Sequence, residues 1–177
     1  MQKRFALLLA TALGAGVLTA AAPAAPAEQS AATKTVVGVA AGDKRFTTLV
    51  AVVKQAGLVK TLSAKGPYTV FAPTNAAFAK LKKTSPATYE AVTSDKALLT
   101  KVLTYHVLGS RVPATAAIAA AKKKASVKTV QGEKIALSIK GGKLVLNGNS
   151  RVIVADIKAS NGIVHAIDTV LVPPSAL

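Results

Sequence analysis

The chain has 177 residues, 23 Lys and Arg against 7 Asp and Glu, a formal net charge of +16, and no cysteine. The absent cysteine excludes disulfides, thiolate nucleophiles and cysteine-ligated metals, so the fold must be stable by packing. The charge favours polyanionic partners. However, 19 of the 23 cations are lysines and only 4% of residues are aromatic. Lysines act as hydrated point charges, and stacking platforms need aromatics, so specific nucleic-acid recognition is not expected.

In chain order, Lys3 and Arg4 precede an apolar run over 5–18, and Ala25-Pro26-Ala27 offers an A-x-A cleavage site. That is a secretory signal peptide over 1–27, and the run is short of the ~20 apolar residues of a membrane span. The mature protein is expected to be secreted or periplasmic. Residues 28–35 read as a flexible leader, 36–174 as one folded domain and 175–177 as a tail.

Residues 36–41 read as a short helix. A firmer one starts near Arg45, because Phe46, Leu49, Val50 and Val53 fall on one stripe, and Gly57 ends it. Leu58, Val59 and Leu62 mark another short helix, broken by Gly66-Pro67. Residues 68–71 read as a buried strand ended by Ala72-Pro73, with Thr74 capping the helix that buries Phe78 and Leu81. Ser85-Pro86 opens a further helix. Ser94 is expected to cap the next, with Asp95 in its first turn and Leu98, Leu99, Val102 and Leu103 facing inward. Alanines over 114–121 predict a helix whose negative end suits Lys122, Lys123 and Lys124.

The period then changes. Ile135, Leu137 and Ile139 alternate with polar residues, Gly141-Gly142 turns, and Leu144 and Leu146 resume the alternation. Residues 152–157 read as a strand, Asn161-Gly162 as a second hairpin turn, and 163–172 as the last strand, stopped by Pro173-Pro174. Helices first and antiparallel strands last is an α+β layout. The expected core includes Phe46, Leu49, Val53, Phe71, Phe78, Leu99, Val102, Ile135, Leu137, Ile153 and Ile167.

Three stretches resemble the fasciclin domain: TVFAPTNAAF over 69–78, LTYHV over 103–107 and GIVHAIDTVLVPP over 162–174. Residues 46–57 are similar to the family's opening helix. The resemblance implies an α+β fold, a wedge-shaped β-sandwich with N-terminal helices packed on it. It implies adhesion, with cell-surface or matrix glycans or proteins as partners, and it does not imply catalysis or a cofactor. It makes Tyr105 and His106 candidate partner-binding residues. The same holds for Asp156 and Ile157, which match a pair implicated in integrin binding in animal relatives. A second reading of these pairs is structural: a half-buried imidazole pins a junction, and a strand-end aspartate bonds nearby backbone.

Lys122, Lys123, Lys124 and Lys128 are the candidate contact for a polyanion, an acidic polysaccharide or extracellular nucleic acid, with Lys80, Lys82 and Lys83 a second cluster. Both could equally be solvated faces that keep the protein soluble. Strand alternation sets His165 and Asp168 on opposite faces, which disfavours a dyad, and no G-x-S-x-G elbow exists. Two histidines without H-x-x-x-H spacing predict no metal site. A glycan hydrolase would need two facing carboxylates, for which few acids are available.

Overall fold

The computed structural model describes residues 34–176. The expected signal peptide over 1–27 and most of the expected leader over 28–35 lie outside the described residues.

The N-terminal half is mainly helical: α1 (Val36–Ala41), a 3-10 turn (Lys44–Phe46), α2 (Thr47–Ala56), α3 (Val59–Ser63), α4 (Asn75–Thr84), α5 (Pro86–Ser94) and α6 (Lys96–Tyr105), with strand β1 (Tyr68–Pro73) between α3 and α4. Then follow β2 (Val107–Leu108), α7 (Ala114–Lys122), β3 (Ser126–Lys128), β4 (Lys134–Lys140), β5 (Lys143–Leu146), β6 (Ser150–Ala159), β7 (Gly162–Ile167) and a closing 3-10 turn, Pro174–Ala176. Local chemistry sets most boundaries. Gly57 takes φ +75° to end α2. Thr74 Oγ1 accepts the Ala77 N–H at the start of α4. Gly141 and Gly142 both have positive φ, as a tight β4–β5 hairpin requires.

The strands form one seven-stranded sheet in the order β2-β1-β7-β6-β5-β4-β3. One core lies under the helices. Val70 and Ala72 of β1 and Val164 and Ala166 of β7 bury against α1, α2, α4 and α6 through Val36, Leu49, Val53, Phe78 and Leu99. A second core lies on the other side of β1 and β7. There Phe71, Tyr105, Leu108 and Ile167 meet Ile135, Leu137, Leu144 and Leu146 of the curled-over β4–β5 hairpin, closed by Ala117 and Ala121 of α7. The fold is α+β, with helices on a sandwich-like sheet.

Several expectations change. β1 is a central strand, antiparallel to β2 and parallel to β7, so the sheet is mixed. A lone buried strand early in the chain gives no sign of its partner. β1 also runs through Ala72 to Pro73, where proline is tolerated as the terminal residue. The last strand ends at Ile167, and the following segment leaves the sheet to pack against α6. Ile153 is 47% exposed and not core. Arg151 is exposed and Ile153 shares its parity, before register shifts around Val154 re-aim the strand.

The cap of α6 moves by one residue. Ser94 ends α5, and Asp95 Oδ1 accepts the N–H groups of Ala97 and Leu98 at 2.7 and 3.3 Å. Asp95→Ala is therefore expected to cost about 1 kcal/mol in urea unfolding and Ser94→Ala close to nothing. Equal costs would return the cap to Ser94.

Candidate functional site

The Tyr105-His106 pair ends α6 where the chain enters β2. Both side chains point inward, Tyr105 1% and His106 2% exposed. His106 Nδ1 lies 2.7 Å from Val102 O, and Nε2 lies 2.9 Å from Leu171 N. A carbonyl needs a proton and an N–H needs a lone pair, so the ring is neutral with its proton on Nδ1. It fastens the last turn of α6 to the segment after β7. Burial lowers its pKa to about 4, partly opposed by the bond to Val102 O. Its own carbonyl accepts the Phe71 N–H at 2.8 Å.

Tyr105 bridges α6 to the β4–β5 hairpin. Its hydroxyl donates to Lys134 O at 3.1 Å and accepts from Asn147 Nδ2 at 2.8 Å, and burial raises its pKa. Tyr105→Phe removes both bonds and strands the Asn147 amide proton, for an expected loss of about 1–2 kcal/mol. Urea unfolding of the variant measures it, and an unchanged midpoint would show that the hydroxyl contributes nothing.

The second motif histidine works in the opposite tautomer. His165 is fully buried and stacks on Phe71 with ring centroids 5.7 Å apart. Its Nδ1 accepts the Asp156 N–H at 3.2 Å, and its Nε2 donates to Val112 O at 3.0 Å. Thr69 holds the same loop, donating to Ser110 O and accepting from Val112 N. Asp156 takes φ +57° at a bulge of β6, and its Oδ1 accepts the Ala114 N–H at the start of α7. Its side chain remains exposed, while Ile157 is half-buried against the helical core. Asp168 is separate from His165, accepting from Arg151 N and Thr169 Oγ1.

The structure thus brings Tyr105, His106 and His165 into buried bracing. Among the four candidate partner contacts, Asp156 has the exposed side chain. Lys122, Lys123, Lys124 and Lys128 are all exposed, but Lys122 ends α7, which packs with Ile135 and Leu137 on the inner side of β4. Lys128 lies on the outer face of β3, opposite Lys134.

Two contributions escaped sequence reasoning. Asn161 closes the β6–β7 turn, and its side chain holds three backbone groups: Val36 N at 2.9 Å, and Leu62 O and Ala64 O each at 2.8 Å. A turn signal at Asn161-Gly162 was visible; these partners, about 100 or more residues away in sequence for each bond, were not. The other is the outer lysine face of β3–β5, whose only signal was lysine at both ends of β4.

An open groove of about 260 Å³ lies beside this framework, lined among others by Thr84, Ser85, Thr88, Asn147, Asn149 and Thr169 over an apolar floor that includes Leu81 and Leu146. Its lining offers neutral hydroxyl and amide groups.

Comparison with known proteins gives a consistent result. The family model of the fasciclin domain matches residues 44–173. The protein sll1483 of Synechocystis sp. is 47% identical over 143 residues, covering 79% of this chain and 74% of that one. The transforming growth factor-beta-induced protein ig-h3 of Sus scrofa is 40% identical over 141 residues, covering 80% of this chain but 20% of that longer protein. Among solved structures, a FAS1 domain pair from the insect cell adhesion molecule fasciclin I superposes with a TM-score of 0.72 at 17% identity, over 82% of this chain and 53% of that one. The motifs at 69–78, 103–107 and 162–174, the fold they brace and these matches agree: the chain belongs to the fasciclin domain family.

Proposed function

We propose that this protein is a secreted, non-catalytic adhesion module that contacts glycans or proteins of a cell surface or matrix. One observation carries the reading: the motif residues with the chemistry to catalyse, His106, His165 and Tyr105, are committed to holding backbone groups inside the fold. What remains for a partner is surface: the exposed Asp156 bulge, the hydroxyl-lined groove and the lysines. Kinship with an insect cell adhesion molecule at the level of fold supports the same reading. The N-terminal sequence supports export, and among the described residues no helix is long and apolar enough to cross a membrane.

The test is binding of the labelled mature chain to intact cells of the producing organism and to their isolated envelope. Saturable binding, competed by unlabelled folded protein, is expected. Binding that does not saturate, or that the urea-unfolded chain reproduces, overturns the proposal. A second reading, simple attraction of a basic protein to any polyanion, rests on the +16 charge; competition by every polyanion in proportion to its charge alone would favour it.

A further inference from the structure

The helices cover one face of β1 and β7, and the second core fills the other. The outer face of β3 and β4, with Lys143 of β5, is left exposed, while Val145 of β5 on that face is buried. Exposed Lys134, Ala136 and Lys140 alternate along β4 with inward residues that include the buried Ile135 and Leu137. The pairing register then creates an unusual charge pattern. Lys128 of β3 stands directly opposite Lys134, and Lys140 directly opposite Lys143 of β5. Like charges facing each other across strands repel. None of the three strands carries an acidic residue.

The nearby carboxylates keep their charge but form no ion pair with these lysines: Glu133 is held by Gln131 and Ser175, and Asp168 by Arg151 N and Thr169. Among the described residues the one ion pair is Arg45 with Asp43. Lys140 Nζ does rest on Gly148 O at 3.0 Å, which orders the side chain without neutralising it. Lys140 lies six positions after Lys134, so the two lysine pairs lie roughly 20 Å apart along β4. Between them the face is low, formed by Ser126, Ala136, Ser138 and the buried Val145, with Arg151 flanking on β6.

We propose that this face docks a linear acidic polysaccharide lying along β4, its anionic groups neutralising the two opposed lysine pairs. The inference rests on the adhesion reading and gives it a surface and a partner class. The chemistry favours a polysaccharide over the other polyanions. Lysines, one flanking arginine and a low sheet face supply no helix or ribbon to enter a nucleic-acid groove. Strands β3, β4 and β5 carry no aromatic residue to anchor in a lipid interface. Neutralisation by a bound chain also removes a repulsion the free protein must bear, so binding and stability are linked.

The test measures affinity of the mature chain for polygalacturonate, a carboxylated polysaccharide, across a salt series. Three proteins are compared: the parent, the outer-face variant Lys128→Gln/Lys134→Gln, and a charge-matched control, Lys54→Gln/Lys60→Gln, at exposed positions on α2 and α3. The outer-face variant is expected to bind roughly tenfold more weakly, with a salt slope shallower by about 2, and the control less than twofold more weakly. The outer-face variant should also melt higher than the parent in low salt, which shows that it folds and that the repulsion is real. Equal losses in the two variants would mean diffuse net charge and overturn the proposal. A DNA duplex or anionic vesicles bound as tightly as polygalacturonate at the same salt would also overturn it. Saturable binding to cells without polygalacturonate binding sinks this face alone and leaves the adhesion reading standing. Outer-face binding without saturable cell binding does the reverse.

Discussion

Gly162→Ala is expected to lower the unfolding free energy by about 3 kcal/mol, because the added methyl group would run into backbone that cannot move aside. Gly162 opens β7 and sits in register with Tyr68 of the parallel strand β1. A Cβ there would lie 2.0 Å from Tyr68 O, 2.8 Å from Tyr68 C and 3.1 Å from Tyr68 N. All three atoms are backbone, so no side chain can swing away. The ends of β1 and β7 must separate, and with them the Tyr68 N–H bond to Asn161 O. Asn161 is the residue that holds α1 and α3, so the damage spreads to the helical core. Gly57→Ala is the control. Gly57 has φ +75° and nothing within 4 Å of the added Cβ, so it bears a conformational cost of about 1 kcal/mol and no clash. Urea unfolding of the two variants separates the effects. Equal losses would show that the β1–β7 contact is looser than its geometry implies.

The second large effect is acid sensitivity at His106. The ordinary imidazole value is 6.5 and burial takes this one to about 4. In the unfolded chain the ring binds a proton below about 6.5; in the folded chain it resists until about 4. Across that window the unfolded state holds more protons, so stability rises with pH. The contribution is fully present above pH 6.5 and lost as pH falls to 4. Roughly two and a half pH decades at about 1.4 kcal/mol each make the loss about 3 kcal/mol. The geometry explains its direction: a proton added at Nε2 would face the Leu171 N–H at 2.9 Å. Urea titrations from pH 7.5 to 4 should show this slope. His106→Gln should lie lower at pH 7 and lose most of the slope. A parent protein equally stable at pH 7 and pH 4.5 would contradict the buried neutral ring.

Much of the helical half was legible residue by residue. Phe46, Leu49 and Val53 mark their helix by period, and Gly57 and Thr74 mark boundaries through backbone chemistry that acts within a few residues. The β4–β5 hairpin was legible for the same reason, since alternation and Gly141-Gly142 act together locally. Ile153 was misplaced because alternation is read by assuming an unbroken register, and β6 carries register shifts. Ser94 and Asp95 were confused because both can cap, and only the bond from Ala97 N decides.

For the site, the resemblance pointed to Tyr105, His106, Asp156 and Ile157, and the burial and bonding of each came from the fold. His106 looks the same in sequence whether it meets a partner or Leu171 N, because the residue that claims it lies 65 positions away. The lysines differ in the same way. A run such as Lys122 to Lys124 is conspicuous in one dimension, whereas Lys128 with Lys134 and Lys140 with Lys143 become neighbours through strand pairing.

Sequence alone therefore settled most of the helices and the β4–β5 hairpin, the basic and cysteine-free character, and the family likeness, since these depend on composition and on forces between near neighbours. Tertiary structure alone decided that β1 joins β7 in parallel, that both histidines face inward in opposite tautomers, and that one sheet face is left open with its lysines opposed. Hydrogen bonds and burial link residues by distance in space, and that distance is set only when the whole chain has closed on its core.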